Sequence, residues 1–205
     1  MKRYINKKNI LFCISLISFF TILVLVLVKK ELFIDYHGYK FASSFISDNL
    51  TKIFKVITIC GSATFLIGLT VGLVVVFLIK KEYRYALLVS LNILCAHLLN
   101  SLIKYIIRRN RPIGHRLVEE KGFSFPSGHS MVSFAVYTFL IYLVYKNVRN
   151  KTLKITLIIL LSTLILLIGF SRIYLGVHFT SDVLAGYLIS FVYINIFIYI
   201  ISRKE

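Results

Sequence analysis

Apolar positions in this chain run together rather than recurring at a helical or strand period. They form six stretches, near 10–28, 57–79, 85–107, 129–146, 155–175 and 181–201, each bounded by charged or turn-forming residues. A helix rising 1.5 Å per residue needs roughly 20 residues to cross a hydrocarbon core of about 30 Å, and each stretch meets or approaches that length. Helices surrounded by lipid and by one another are apolar on every side, so amphipathic period carries little information. The pattern predicts an all-α polytopic membrane protein: one six-transmembrane-helix bundle formed from residues 1–205, with connections too short for a second domain. The first stretch follows Met1-Lys2-Arg3-Tyr4-Ile5-Asn6-Lys7-Lys8, a basic start like that of a signal peptide. Its apolar run exceeds a signal h-region and lacks a small-residue cleavage site, so it is expected to persist as a helix.

Composition narrows the class further. The chain is 58 % hydrophobic with a mean hydropathy of +0.83, and only 16 % of its residues are charged, against about 25 % in soluble domains. Disorder, collagen-like repeats and a disulfide scaffold are excluded. Cys13, Cys60 and Cys95 fall within apolar spans without metal-like spacing and are expected to be buried thiols. Gly68 and Gly72 form a small-xxx-small pair, expected to pack inside the bundle.

Charge is lopsided, with 25 Lys and Arg against 8 Asp and Glu. Six helices place 13 of those bases on the side of the termini and 12 on the other, so a raw positive-inside count decides nothing. Three of the 12, Lys104, Arg111 and Arg172, belong to the candidate site described next. Setting them aside tips the balance toward cytoplasmic termini in the cell membrane and a site facing outside.

Chemistry concentrates at three junctions. Lys104 and Arg111 are seven residues apart at the end of the third span; if the helix continues to Pro112, both cations project from one face. Taken alone, such a cluster is better read as a snorkelling boundary. Phe123-Ser124-Phe125-Pro126-Ser127-Gly128-His129-Ser130 opens the fourth span. A helix N-terminus there offers free backbone N–H groups to an anion, beside a histidine able to move a proton near neutral pH. A capped helix with an incidental histidine explains the same residues. Between spans five and six, His178 and Asp182 lie four residues apart, near enough for the acid to orient the imidazole, while Arg172 needs a chain break near Gly176 to join them. All three junctions fall on one membrane face. Three cations, two histidines and one acid, with no thiol or carboxylate cluster for a metal, fit a phosphate-like anion.

Together these segments resemble the signature of the type 2 phosphatidic acid phosphatase family: Lys, six residues, Arg-Pro; Pro-Ser-Gly-His; then Ser-Arg, five residues, His, three residues, Asp. Lys104, Arg111, Pro112, Pro126, Ser127, Gly128, His129, Ser171, Arg172, His178 and Asp182 meet every fixed position. The resemblance implies a metal-independent phosphatase without cofactor, acting through a phosphohistidine. It implies His178 as nucleophile, Asp182 as its orienting acid and His129 as proton donor. Lys104, Arg111 and Arg172, with Ser127 and the backbone at Gly128, would hold the phosphoryl oxygens. The expected partners are the bilayer and a membrane lipid phosphate; oligomeric state is left open. Small members with this layout resemble bacterial undecaprenyl diphosphate phosphatases and phosphatidylglycerophosphate phosphatases. An outward site favours undecaprenyl diphosphate, with phosphatidylglycerophosphate or phosphatidic acid next.

Competing classes fit less well. A transporter would carry its ionisable groups at mid-membrane, although a non-enzymatic or transport protein using the same anion site stays an alternative. Vanadate-dependent haloperoxidases resemble the same pocket motif but are soluble. Nucleic acid is not an expected partner, because the bases are divided between two faces. Asn100 either orients Lys104 or, as expected here, bonds between helices, and His97 faces the interior. His115 and Arg116 meet either a headgroup or solvent, and Glu119 and Glu120 either pair with bases or screen substrates.

Overall fold

The computed structural model describes residues 7–29, 31–114 and 116–203, which include eight helices and no strand. They are α1 (Lys7–Val28), α2 (Phe33–Ser43), α3 (Asp48–Ile59), α4 (Ala63–Ile79), α5 (Tyr83–Ile107), α6 (Gly128–Asn147), α7 (Lys151–Tyr174) and α8 (Thr180–Ser202). Helices α1, α5, α6, α7 and α8 are each long and apolar enough to cross a membrane; α3 and α4, bent by 47° at the break between them, add a sixth where the pair counts as one broken span rather than a re-entrant loop. The basic stretch Met1–Asn6 and His115 lie outside the described residues.

The single helix expected over 57–79 is therefore two. Ile59 ends α3, and Ser62 restarts the chain as N-cap of α4, accepting from the N–H of Phe65 at 3.2 Å. The carbonyl of Cys60, freed by the break, accepts from the Tyr137 hydroxyl at 2.7 Å. Cys60, Gly61 and Ser62 carry no charge and are too few to lower a span-length hydropathy window, which is why a hydropathy reading runs straight through the break. Helix α2 was also not expected: Asp35, His37 and Lys40 make its eleven residues too polar and too short for a span.

Helix α6 is the hub, packed against α5, α7 and α8, with α4 on α5, α1 on α8 and both α2 and α3 on α7. Half of its spanning window is buried, against 11 % for α1. Burial matches their sequences: α1, mostly exposed on the outside of the bundle, has the higher mean hydropathy, 3.0 against 1.3, whereas α6 buries Ser130 and Ser133 among protein neighbours. Interhelical hydrogen bonds tie the hub together. Ser190 Oγ donates to the Met131 carbonyl at 2.6 Å, and Tyr193 donates to the Asn92 carbonyl at 3.0 Å.

Two packing expectations fail. Cys13 and Cys95 are exposed on the outside of the bundle and Cys60 is partly exposed, not buried. A methyl group built on Gly68 or Gly72 would meet nothing within 4 Å, so this pair does not pack within the bundle. Apolar composition on every side of a span hides which face meets protein.

Candidate active site

The three junctions meet at one end of the bundle. Helix α5 does not continue to Pro112 as expected. It stops at Ile107, and Arg108 caps it in the left-handed region at φ 49°. The chain leaves the helix because Arg109 turns inward to two buried carboxylates, Asp35 at 2.8 Å and Asp182 at 2.7 Å. Lys104 and Arg111 consequently reach the site from a helix and a loop rather than from one helical face.

Arg111 is held by its surroundings. Its Nε donates to the Gly122 carbonyl at 3.0 Å and its two terminal nitrogens to the carbonyls of Lys121 and Val177 at 2.9 and 3.0 Å. One terminal nitrogen also lies 3.0 Å from His178 Nε2. Lys104 Nζ donates to the Phe123 carbonyl at 2.6 Å. Arg172, 1 % exposed, donates to Thr58 Oγ1 on α3 at 2.6 Å and to a carboxylate oxygen of Glu120. The same carboxylate stands 3.6 Å from Arg111 and 3.9 Å from His129 Nδ1. An anionic group of the chain itself thus occupies the space between two guanidiniums and an imidazole.

Gly176 supplies the break that Arg172 needed. At φ 69° it adopts the left-handed backbone favoured by glycine, and the N–H groups of Val177 and His178 fold back onto the Arg172 carbonyl at 3.2 and 3.3 Å. His178 is thereby returned to the end of α7. Its Nδ1 lies 3.4 Å from Asp182 Oδ2 and 3.3 Å from Ser124 Oγ. Asp182 is fully buried; Oδ2 also accepts from the Ser124 hydroxyl and from the Phe179 N–H at 2.9 Å. With Nδ1 facing an acid and Nε2 facing a guanidinium that can only donate, the tautomer these partners favour carries its proton on Nδ1 and a lone pair on Nε2. Burial pushes the His178 pKa down to about 3; Asp182 opposes that shift and Arg111 and Arg172 add to it, so the ring is neutral at physiological pH.

Of the eight expected site residues, Lys104, Arg111, Gly128, His129 and His178 line one cavity of about 430 Å³. Arg172 and Asp182 stand behind that lining. Ser127 does not reach it: fully buried, its Oγ caps α6, accepting from the N–H of Ser130 at 3.4 Å and from the Ser130 hydroxyl at 3.0 Å. The cavity continues along Leu66, Ile67, Ile93 and Leu94. From Lys104 back to Ile93 is about 16 Å along α5, so a polar head and an apolar channel share one space. A second cavity of about 670 Å³ borders Arg111 and His178 from the side of α1 and α2.

Asn100 bonds between segments, as expected, reaching the Pro126 carbonyl at 3.3 Å. Exposed Arg116 turns back onto the Pro112 carbonyl at 2.8 Å, and Glu119 is exposed. Asp35, Thr58, Arg109 and Ser124 were not singled out for roles in the sequence. Arg109 was masked by its basic neighbours, and Asp35 and Thr58 carry no local pattern; Ser124, two residues before the Pro-Ser-Gly-His segment, was the one within reach of a motif.

The PAP2 superfamily pattern matches residues 85–205. Phosphatidylglycerophosphatase B of Bacillus subtilis (strain 168) is 38 % identical over 140 residues, covering 67 % of this chain and 68 % of that protein. The crystal structure of a transmembrane PAP2-type phosphatidylglycerolphosphate phosphatase from Bacillus subtilis superposes with a TM-score of 0.81 at 30 % identity, covering 92 % of this chain and 96 % of that one. That of Aquifex aeolicus LpxE superposes with a TM-score of 0.68 at 24 % identity, covering 83 % and 98 %, a likeness of fold. The chain belongs to the PAP2 superfamily.

Proposed function

We propose that this PAP2-superfamily lipid phosphatase removes the terminal phosphate of a membrane glycerophospholipid, with phosphatidylglycerophosphate as its first candidate, through a phosphohistidine at His178. The observation that carries the reading is a neutral, buried imidazole whose Nε2 borders a cationic cradle opening onto an apolar channel. The substrate's phosphate would replace the Glu120 carboxylate between Arg111 and Arg172, with Lys104 nearby and its acyl chains along α4 and α5.

In the first step Nε2 of His178 forms a bond to phosphorus as the P–O bond to the lipid breaks, and His129 gives the leaving oxygen a proton. Asp182 steadies the positive charge that develops on the ring. Water, losing its proton to His129, then attacks phosphorus, and the P–N bond breaks to release phosphate. The guanidiniums and the N–H groups at the start of α6 stabilise the equatorial oxygens in both steps. Among the described residues no three His, Cys, Asp or Glu side chains cluster as a metal site would require. The reading assigns charge stabilisation to Lys104, Arg111 and Arg172.

Phosphatidylglycerophosphate takes precedence over undecaprenyl diphosphate because the similar Bacillus subtilis protein and crystal structure carry it in their names. The proposed setting is the cell membrane, with cytoplasmic termini and the site outside. The test is phosphate release in detergent with chelator present, comparing kcat/KM on phosphatidylglycerophosphate, phosphatidic acid and undecaprenyl diphosphate. Turnover of all three at background rates overturns the enzyme reading, and a clear lead for the diphosphate overturns the substrate order. Modification of Lys121 only from the cytoplasm overturns the outward placement.

A further inference from the structure

Two buried charges near the site have no part in the mechanism above. Asp35 on α2 is 1 % exposed and Arg109, just beyond α5, is 8 % exposed. One terminal nitrogen of Arg109 bonds Asp35 Oδ2 at 2.8 Å; the other bonds Asp182 Oδ1 and Ser181 Oγ, both at 2.7 Å. The guanidinium lies 4.0 Å over the ring of Phe179. Asp35 Oδ1 accepts from the Ser181 N–H at 2.8 Å, so α2 is bonded directly to the first turn of α8. One turn on, Gly38 lies so close to Thr180 that a Cβ there would stand 2.1 Å from the Thr180 hydroxyl oxygen. Glycine is what allows that approach.

The two oxygens of Asp182 therefore have different duties. Oδ2 faces His178, Ser124 and the Phe179 N–H, while Oδ1 faces Arg109 and nothing of the reaction. A carboxylate held at one oxygen can turn about its Cβ–Cγ bond; held at both, it presents a fixed lone pair to the imidazole. For stability alone, an apolar pair commonly serves as well as buried charges do. We propose that Asp35 and Arg109 are positioning residues: Asp35 anchors Arg109, Arg109 locks Asp182 Oδ1, and α2 thereby becomes part of the apparatus that aims His178. The inference rests on the preceding reading of Asp182 as the acid that orients His178.

The test measures kcat and KM on phosphatidylglycerophosphate for full-length Asp35→Asn, Arg109→Gln and Arg109→Lys, with Asp182→Asn alongside. Groups that orient a functional side chain from behind, as measured around metal ligands, are typically worth about 10- to 100-fold, and the same order is expected here. Asp35→Asn and Arg109→Gln are expected to lower kcat by that amount with KM within about twofold, and Arg109→Lys to lose less than Arg109→Gln. In an Asp182→Asn background, Arg109→Gln should change the residual turnover by less than about twofold, because its route of action is already cut. Losses that multiply with Asp182→Asn overturn the inference. Folded single variants with wild-type kcat, beside an inactive Asp182→Asn, overturn it while leaving the mechanism standing; a fully active Asp182→Asn overturns both. Should the single variants not fold, Asp35→Leu/Arg109→Met removes both charges together. A folded double variant with reduced kcat supports the inference, and one with wild-type kcat overturns it.

Discussion

The two halves of the site are built differently. Around His178 and Asp182 nearly every polar atom has a permanent partner in the chain, from Ser124 to Arg109 and the Phe179 N–H, and both residues are buried. In the cradle, Arg111 and Arg172 are themselves held, by backbone carbonyls and by Thr58, but the acid they share, Glu120, has a side chain 26 % exposed and rides on a loop rather than a helix. On the proposed reading, the first half is preorganised for a charge that develops during reaction, and the second holds a carboxylate that the substrate's phosphate would displace. Rigidity suits the group that attacks, and in the binding half the exchangeable member is the acid rather than the guanidiniums.

Substitutions separate the halves. The largest effect is expected from His178→Ala, which leaves no nucleophile: turnover should fall at least about 10⁴-fold while the protein stays monodisperse in detergent. Single-turnover labelling should find no phosphorylated protein. Arg111→Lys comes next. It keeps a charge but loses the fork that spans His178 and the loop carbonyls, and kcat should fall about 10²-fold.

Acid tests the rigid half through stability. The folded state holds the His178 pKa near 3 against an ordinary 6.5, so the unfolded chain takes up a proton first as pH falls. The contribution of neutral His178 is thus complete above about pH 6.5 and is lost progressively toward pH 3. The midpoint of thermal unfolding by circular dichroism should decline over that window, less steeply in His178→Asn. The smallest effect belongs to the exchangeable half. Glu120→Gln removes the competing charge and should lower both KM and the inhibition constant for vanadate about threefold to fivefold, with kcat little changed. A rise in KM would mean that Glu120 assists substrate instead of standing in for it.

Much of this was legible in the chain. Five of the six spans appear near the expected positions, because a lipid-facing helix has to be apolar over a fixed length. The break at 60–62 was not legible, since Cys60 and Gly61 interrupt no apolar run. The three motif segments are in sequence as they are in space, and five of the eight residues expected in the site line one cavity. Ser127 shows the limit of reading by type: its place at a helix start was visible, but a capping hydroxyl and a phosphate-binding hydroxyl look alike until the Ser130 N–H and hydroxyl are located. Glu120 was visible as an acid in a basic loop, with no local signal for which bases it meets.

Length, apolar runs and motif spacing by themselves determined a membrane-spanning helical bundle with its motif residues gathered at one end, because span length and span boundaries follow from local chemistry along a helix. Only the tertiary structure decided which Arg of Arg108-Arg109-Asn110-Arg111 serves which carboxylate. It alone decided that Asp35, 147 residues away in sequence, shares a guanidinium with Asp182. Charge pairing in a buried site is set by distance through space, and a chain that leaves its helix at Ile107, short of Pro112, hands each side chain to a different partner.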